Sequence, residues 1–76
     1  MEEREIEINT ETISLDKFLK WSGIVETGGQ AKMIIQSGLV KVNDVIEKKR
    51  SRQLKPGDVV EFNDVKLKVV RSPKEI

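Results

Sequence analysis

The sequence contains no cysteine and no histidine. Without cysteine there are no disulfide staples and no thiolate metal site. Without either residue the usual zinc ligands are gone, together with the commonest general base and cysteine nucleophile chemistry. Aromatic residues are scarce: Phe18, Trp21 and Phe62, with no tyrosine. No apolar run approaches the ~20 residues needed to span a bilayer. The opening Met1-Glu2-Glu3-Arg4-Glu5 is acidic and has neither the basic nor the apolar segment of a secretory signal, so a cytoplasmic protein is expected. Carboxylates are the remaining catalytic candidates, and Asp16, Asp44, Asp58 and Asp64 each have a turn or capping explanation. With no nucleophile–base constellation, the expectation is a protein with no catalytic site, no cofactor and no metal.

What is present fits one domain. A chain of 76 residues buries only about 60% of its unfolded surface, so stability is modest and a deep catalytic cleft hard to build. Hydrophobic residues make up 37% and charged residues 36%, and the apolar ones fall in ordered clusters, which argues against disorder. There is no internal repeat and no linker.

The net charge of +1 hides a strong asymmetry. Residues 1–16 carry Glu2, Glu3, Glu5, Glu7, Glu11 and Asp16 against Arg4 alone, a net of −5. Residues 17–55 carry nine Lys or Arg against Glu26, Asp44 and Glu47, a net of +6, and residues 56–76 balance. A cationic block of this kind points to an anionic partner.

The periodicity changes along the chain. Ile6 and Ile8 alternate with Glu5, Glu7 and Asn9, as in a half-buried strand. Leu15, Phe18 and Leu19 make the apolar stripe of a short helix from Leu15 to about Ser22, with Ser14 as N-cap, Asp16 in the first turn and Gly23 as the stop. Thr27-Gly28-Gly29-Gln30 has the form of a capping box, in which the Gln30 side chain reaches back to the Thr27 N–H. It opens a second helix from Gly28 to about Ser37, with Ala31, Ile34 and Ile35 buried and Gly38 at C′. From residue 39 the period is two: Val40 and Val42 lead to an Asn43-Asp44 hairpin turn and a return strand from Val45. After a polar loop, Leu54 re-enters the core, Lys55-Pro56-Gly57-Asp58 turns, Val59–Phe62 is a strand and Asn63-Asp64 a second hairpin turn. Val65, Leu67 and Val69 form the inward face of the last strand. Residues 1–5 and 71–76 are expected to fray. The fold class is α+β, with two short helices packed on a small, mostly antiparallel sheet. Phe18 and Phe62 are assigned to the core, Met33 to the core or its rim, and Trp21 to helix packing, because it adjoins the buried stripe.

The sharpest local signal is Lys48-Lys49-Arg50-Ser51-Arg52, four cations in five residues on a loop. Alone it reads more readily as an ordinary solvated basic loop than as a phosphate-binding one. Lys17, Lys20, Lys32 and Lys41, each on the polar side of its element, and Lys55 extend it. If the helices and the first hairpin are neighbours, these side chains form one surface for phosphates, which Arg can grip with two hydrogen bonds. Gly28 and Gly29 could admit a phosphate to backbone N–H groups at a helix start, or simply shape the entry turn. The Gly-x4-Gly-Lys-Ser/Thr phosphate loop is absent.

The sequence of elements is also recognisable. Leu15-Asp16-Lys17-Phe18-Leu19, Gly23, Ile35-Gln36-Ser37-Gly38, Val40-Lys41-Val42-Asn43 and Leu54-Lys55-Pro56-Gly57-Asp58-Val59-Val60 together resemble the S-four RNA-binding domain, or alpha-L motif, over residues 13–62. Thr27-Gly28-Gly29-Gln30-Ala31-Lys32 and Arg50-Ser51-Arg52 are similar to the small stand-alone bacterial YaaA-type ribosome-associated subgroup. The resemblance implies RNA lying across the second helix and the adjoining strand and loop, with Gln30, Lys32, Lys41, Asn43, Lys48, Lys49, Arg50 and Arg52 in contact. It implies ribosomal RNA as target, with tRNA or a stalled-ribosome complex as the alternative; a monomer is the expected working form. Some relatives carry this domain on pseudouridine synthases or a tyrosyl-tRNA synthetase. At 76 residues there is no room for such a partner, so the resemblance implies binding only. Two positions depart from the family pattern. Thr27-Gly28-Gly29 stands where many relatives have Ser-Arg-Arg, which shifts the expected phosphate contacts toward the loop. Asn43-Asp44 stands where many have Asn-Gly. Outside RNA binding, the competing reading is a protein-interaction adaptor that works through the acidic N-terminal strand.

Overall fold

The computed structural model describes residues 2–73. In chain order it contains β1 (Glu2–Ile8), β2 (Ile13–Ser14), α1 (Leu15–Trp21), α2 (Gly28–Gln36), β3 (Lys41–Val42), β4 (Val45–Ile46), β5 (Gln53–Leu54), β6 (Val59–Phe62) and β7 (Val65–Arg71). Asn43 and Asp44 take φ of 52° and 71°, and Asn63 and Asp64 take 55° and 66°. Positive φ at both central residues is the type I′ geometry, whose twist matches the flanking strands, so both expected hairpins form. Pro56 and Gly57, the latter at φ 102°, close the turn in which the Asp58 N–H donates to the Lys55 carbonyl.

Five strands form one sheet in the order β1-β7-β6-β3-β4, and β2 pairs with β5 in a separate two-stranded ribbon. All pairs are antiparallel except β1 with β7, which runs parallel from Glu2 opposite Val65 to Ile8 opposite Arg71. For residues 2–5 this pairing corrects the expectation of fraying, and Met1 lies outside the described residues. The strand begins at Glu2, because a complete partner strand from the far end of the chain offers it a ladder. Arg71, also expected to fray, ends β7; the rest of that expectation falls mainly on residues 74–76, outside the described residues.

Both helices pack on the sheet face that carries Val42, Val60, Leu67 and Val69, and Ile8, Leu15, Phe18, Leu19, Val25, Ala31, Ile35, Val40 and Leu54 complete the core. The stripe of α1 is buried as its spacing predicts. Ile34 and Phe62 are half-buried rather than enclosed, and Met33 is 62% exposed, so it belongs to neither core nor rim. α2 ends in a Schellman motif: Gly38, at φ 78°, donates to the Ile35 carbonyl while the Leu39 N–H reaches Ile34. At its start the Thr27 hydroxyl accepts from the Gln30 N–H at 3.1 Å, but the Gln30 Oε1 takes the Glu26 N–H at 2.8 Å, one residue earlier than a capping box predicts.

Candidate nucleic-acid interface

Ser14 occupies the N-cap of α1, yet its hydroxyl donates to Asp16 Oδ1 and caps no backbone N–H. The first N–H groups of the helix go elsewhere. Leu15 donates to the Arg52 carbonyl at 2.8 Å, and Asp16 to the Arg50 carbonyl at 3.2 Å. Helix starts must find acceptors for these orphan donors. Here the acceptors are the backbone of the basic loop, which is thereby stitched onto α1 beside Lys17.

Inside the loop, Glu47 is the organiser. Its Oε1 accepts from the Arg52 guanidinium at 2.7 Å and its Oε2 from the Lys49 N–H at 3.2 Å. The Arg52 N–H closes a turn on the Lys49 carbonyl. The hydrogen bond from Arg52 chiefly, with that from the Lys49 N–H, holds the Glu47 carboxyl below its ordinary range against the opposing effect of burial. In the sequence alone Glu47 counts only as one negative charge within the cationic block. Its signal was its place at the head of the loop, five residues before an arginine. The pairing also reduces what Arg52 can offer an external anion. Lys48, Lys49 and Arg50 are exposed and have no carboxylate partner among the described residues.

Lys48 is anchored differently. A Cβ on Gly38 would lie 3.3 Å from Lys48 Cε and 3.9 Å from Ile46 Cγ2, so the lysine stem crosses the C-terminal end of α2, where the helix dipole favours a cation. The loop therefore bridges the start of α1 and the end of α2. Lys17 shares this region. Lys20, in the last turn of α1, and Lys32, on α2, are exposed on their helices. Gly28 and Gly29 open α2 at its other end, about 14–15 Å from Gly38 at 1.5 Å per residue.

The expected surface does not extend to the first hairpin. Val42 faces the core, so its neighbour Lys41 points to the opposite side of the sheet from the helices. There it stands opposite Ile46 and Glu61, in a row that continues through Lys66 to Glu3 and alternates in sign. Asn43 is spent on the fold: its Nδ2 donates to Asp58 Oδ1 at 3.2 Å, and its Oδ1 accepts the Val59 N–H at 3.0 Å. Lys55 is exposed, with its ammonium 3.5 Å from the Asp58 carboxylate. The Gln30 amide oxygen is occupied by Glu26. A concavity of about 610 Å³ lies behind the sheet between Glu3, Glu5, Lys66 and Lys68, where charges of both signs mix.

A fold of two helices on this sheet, with a cationic loop pinned between their ends, defines a class. The S4 domain model matches residues 6–70, and the chain belongs to that family. Among individual proteins it is similar to the "Probable ribosome maturation protein RlbA" of Bacillus subtilis (strain 168), at 45% identity over 57 residues, 75% of this chain and 80% of that protein. The solution structure of YbcJ from E. coli, described as having an alpha-L motif involved in RNA binding, matches with a TM-score of 0.62 at 30% identity. That match covers 92% of this chain and 87% of YbcJ.

Proposed function

We propose that this chain is a non-catalytic RNA-binding protein that docks its basic loop on structured RNA, ribosomal RNA in the first instance, in ribosome assembly or translation in the cytoplasm. The observation that carries the reading is the attachment of residues 48–52 to the start of α1. Exposed cations on a backbone fixed at 2.8 and 3.2 Å lose less entropy on meeting phosphates than a mobile loop would. Membership of the S4-domain family supports it, as do the ribosome-maturation name of the Bacillus relative and the RNA-binding motif of YbcJ. Lys17, Lys48, Lys49 and Arg50 are the primary contacts, with Lys20, Lys32 and Arg52 flanking. Lys41 and Lys55 are peripheral, and Asn43 acts through the fold. The alternative target within RNA binding is tRNA or a stalled-ribosome complex.

A second reading has one observation in its favour: β1 is an edge strand, and its Glu3, Glu5 and Glu7 face away from the helices, a surface an adaptor could present to a basic protein segment. One experiment separates the two. Lys48→Glu with Arg50→Glu is expected to abolish co-sedimentation with ribosomal subunits while leaving the circular dichroism spectrum and melting temperature nearly unchanged. Exposed loop substitutions usually cost under about 0.5 kcal/mol. Undiminished association would favour the adaptor, and neutralising Glu3, Glu5 and Glu7 would then be the damaging change.

A further inference from the structure

Trp21, assigned from sequence to helix packing, is 58% exposed. Its indole Nε1 donates to the Glu7 carbonyl at 2.8 Å, so the ring is tethered to β1 and oriented while much of it stays in solvent. It forms one wall of a cavity of about 310 Å³ whose other walls include Asn9, Thr12, Ser14, Lys17 and Gln53. That volume is at the low end of the range for small-molecule sites, about 300–1,000 Å³. The lining has one cation, two amides and several hydroxyls, and no carboxylate. The Gln53 Nε2 donates to the Ser51 carbonyl at 3.2 Å, which leaves the amide oxygen and a second N–H for another partner. Lys17 apart, the residues that line it have no role among the phosphate contacts proposed above.

We propose that the cavity takes one unpaired nucleobase, splayed out of the RNA whose backbone lies along the 48–52 loop. The inference rests on the RNA-binding reading above and deepens it. Three features select a base. A tethered indole offers a flat face for stacking, and its orientation is set before binding. Neutral amides and hydroxyls match the mixed donors and acceptors of a base edge, whereas an anion would require more cations. The cavity also continues directly from the loop. Gln53 follows Arg52 in the chain and pairs with Ser14, and the next residue, Leu15, donates to the Arg52 carbonyl. A strand of RNA held at Lys49 and Arg50 thus passes the cavity mouth, with Lys17 placed for the flanking phosphate. A single ring reads one base and cannot serve as a platform for a run of them, so phosphate contacts still carry most of the affinity.

Trp21 is the only tryptophan, so its fluorescence reports the site directly. The probes are two synthetic RNA hairpins with the same stem, one fully paired and one carrying a single bulged adenosine. Both are expected to bind at low salt, the bulged one about tenfold tighter, and only the bulged one should quench Trp21. Trp21→Leu should bind the paired hairpin as the parent does and lose the preference for the bulge. Because Trp21→Leu also removes the tether to β1, Gln53→Ala, an exposed change that keeps the reporter, is the second variant. It should weaken binding of the bulged hairpin several-fold and leave the paired one alone. Equal affinity and equal quenching for the two hairpins would overturn the proposal while leaving the RNA reading intact. So would a bulge preference that survives in folded Trp21→Leu. Failure of both hairpins to bind would overturn the RNA reading and this inference together.

Discussion

Asp58 is the one buried charge among the described residues, 5% exposed. It joins two turns that are far apart in sequence. Its Oδ2 accepts the Lys55 N–H at 3.0 Å, and its Oδ1 accepts the Asn43 amide. Burial pushes its carboxyl pKa up, but the Lys55 N–H, the Asn43 amide and the nearby Lys55 ammonium together outweigh that and leave it below the ordinary value. The folded state therefore holds the proton less tightly than the unfolded chain. The stability this group contributes is complete above its unfolded pKa near 4 and is lost as pH falls through the lower folded value. Melting curves of Asp58→Asn should accordingly depend less on pH below about 4 than those of the parent. Asp58→Ala should cost about 1–3 kcal/mol at neutral pH, because the Asn43 and Lys55 donors lose their acceptor. A neutral-pH loss well under that range in urea titrations would mean that water replaces the carboxylate.

At the scale of elements, α2 has glycines at both ends for different reasons. Gly38 sits at φ 78° with Lys48 packed across it, so Gly38→Val meets both the left-handed backbone and a contact at 3.3 Å. About 1–2 kcal/mol of destabilisation is expected from the backbone alone. Gly29 has neither constraint: an added Cβ would meet only the Thr27 hydroxyl oxygen, at 3.9 Å. Gly29→Ala should leave the melting temperature within error or raise it slightly. If a backbone N–H at the start of α2 meets a phosphate, the same change weakens RNA binding in filter assays. Unchanged affinity would reduce Gly28 and Gly29 to a turn and confine the interface to the loop.

At the scale of the molecule, the fold segregates charge that the sequence only suggests. The acidic β1 is laid on the edge of the sheet, with Glu3 and Glu5 beside Lys66 and Lys68, while the cations of 48–52 gather at the helix ends on the other side. If about five phosphates are neutralised there, log affinity should fall against log salt with a slope of roughly −4. Removing Lys48, Lys49 or Arg50 singly should flatten the slope by about one each. Arg52, already paired with Glu47, should change it less. A slope near −1 in the parent protein would show that base contacts, not phosphates, dominate.

The sequence by itself determined the local structure: the helix stripes of Leu15, Phe18, Leu19, Ala31 and Ile35, the Gly38 cap, and the two hairpin turns at Asn-Asp pairs. These depend on spacing and backbone preference within a few residues, so the chain itself carries them. It also carried the cationic loop, because charge needs no neighbours to be counted. Only the tertiary structure decided the parallel pairing of β1 with β7, since that ladder joins residues at opposite ends of the chain. The β2–β5 ribbon, which brings the loop to α1, is likewise non-local. Which cations share a face was also settled there. Lys41 alternates with a buried valine, so the sheet's packing, not the loop's charge, sets its direction. Trp21 shows the same division: its place beside an apolar stripe suggested burial, but a seven-residue helix has limited core to cover, and the Glu7 carbonyl holds the ring at the surface.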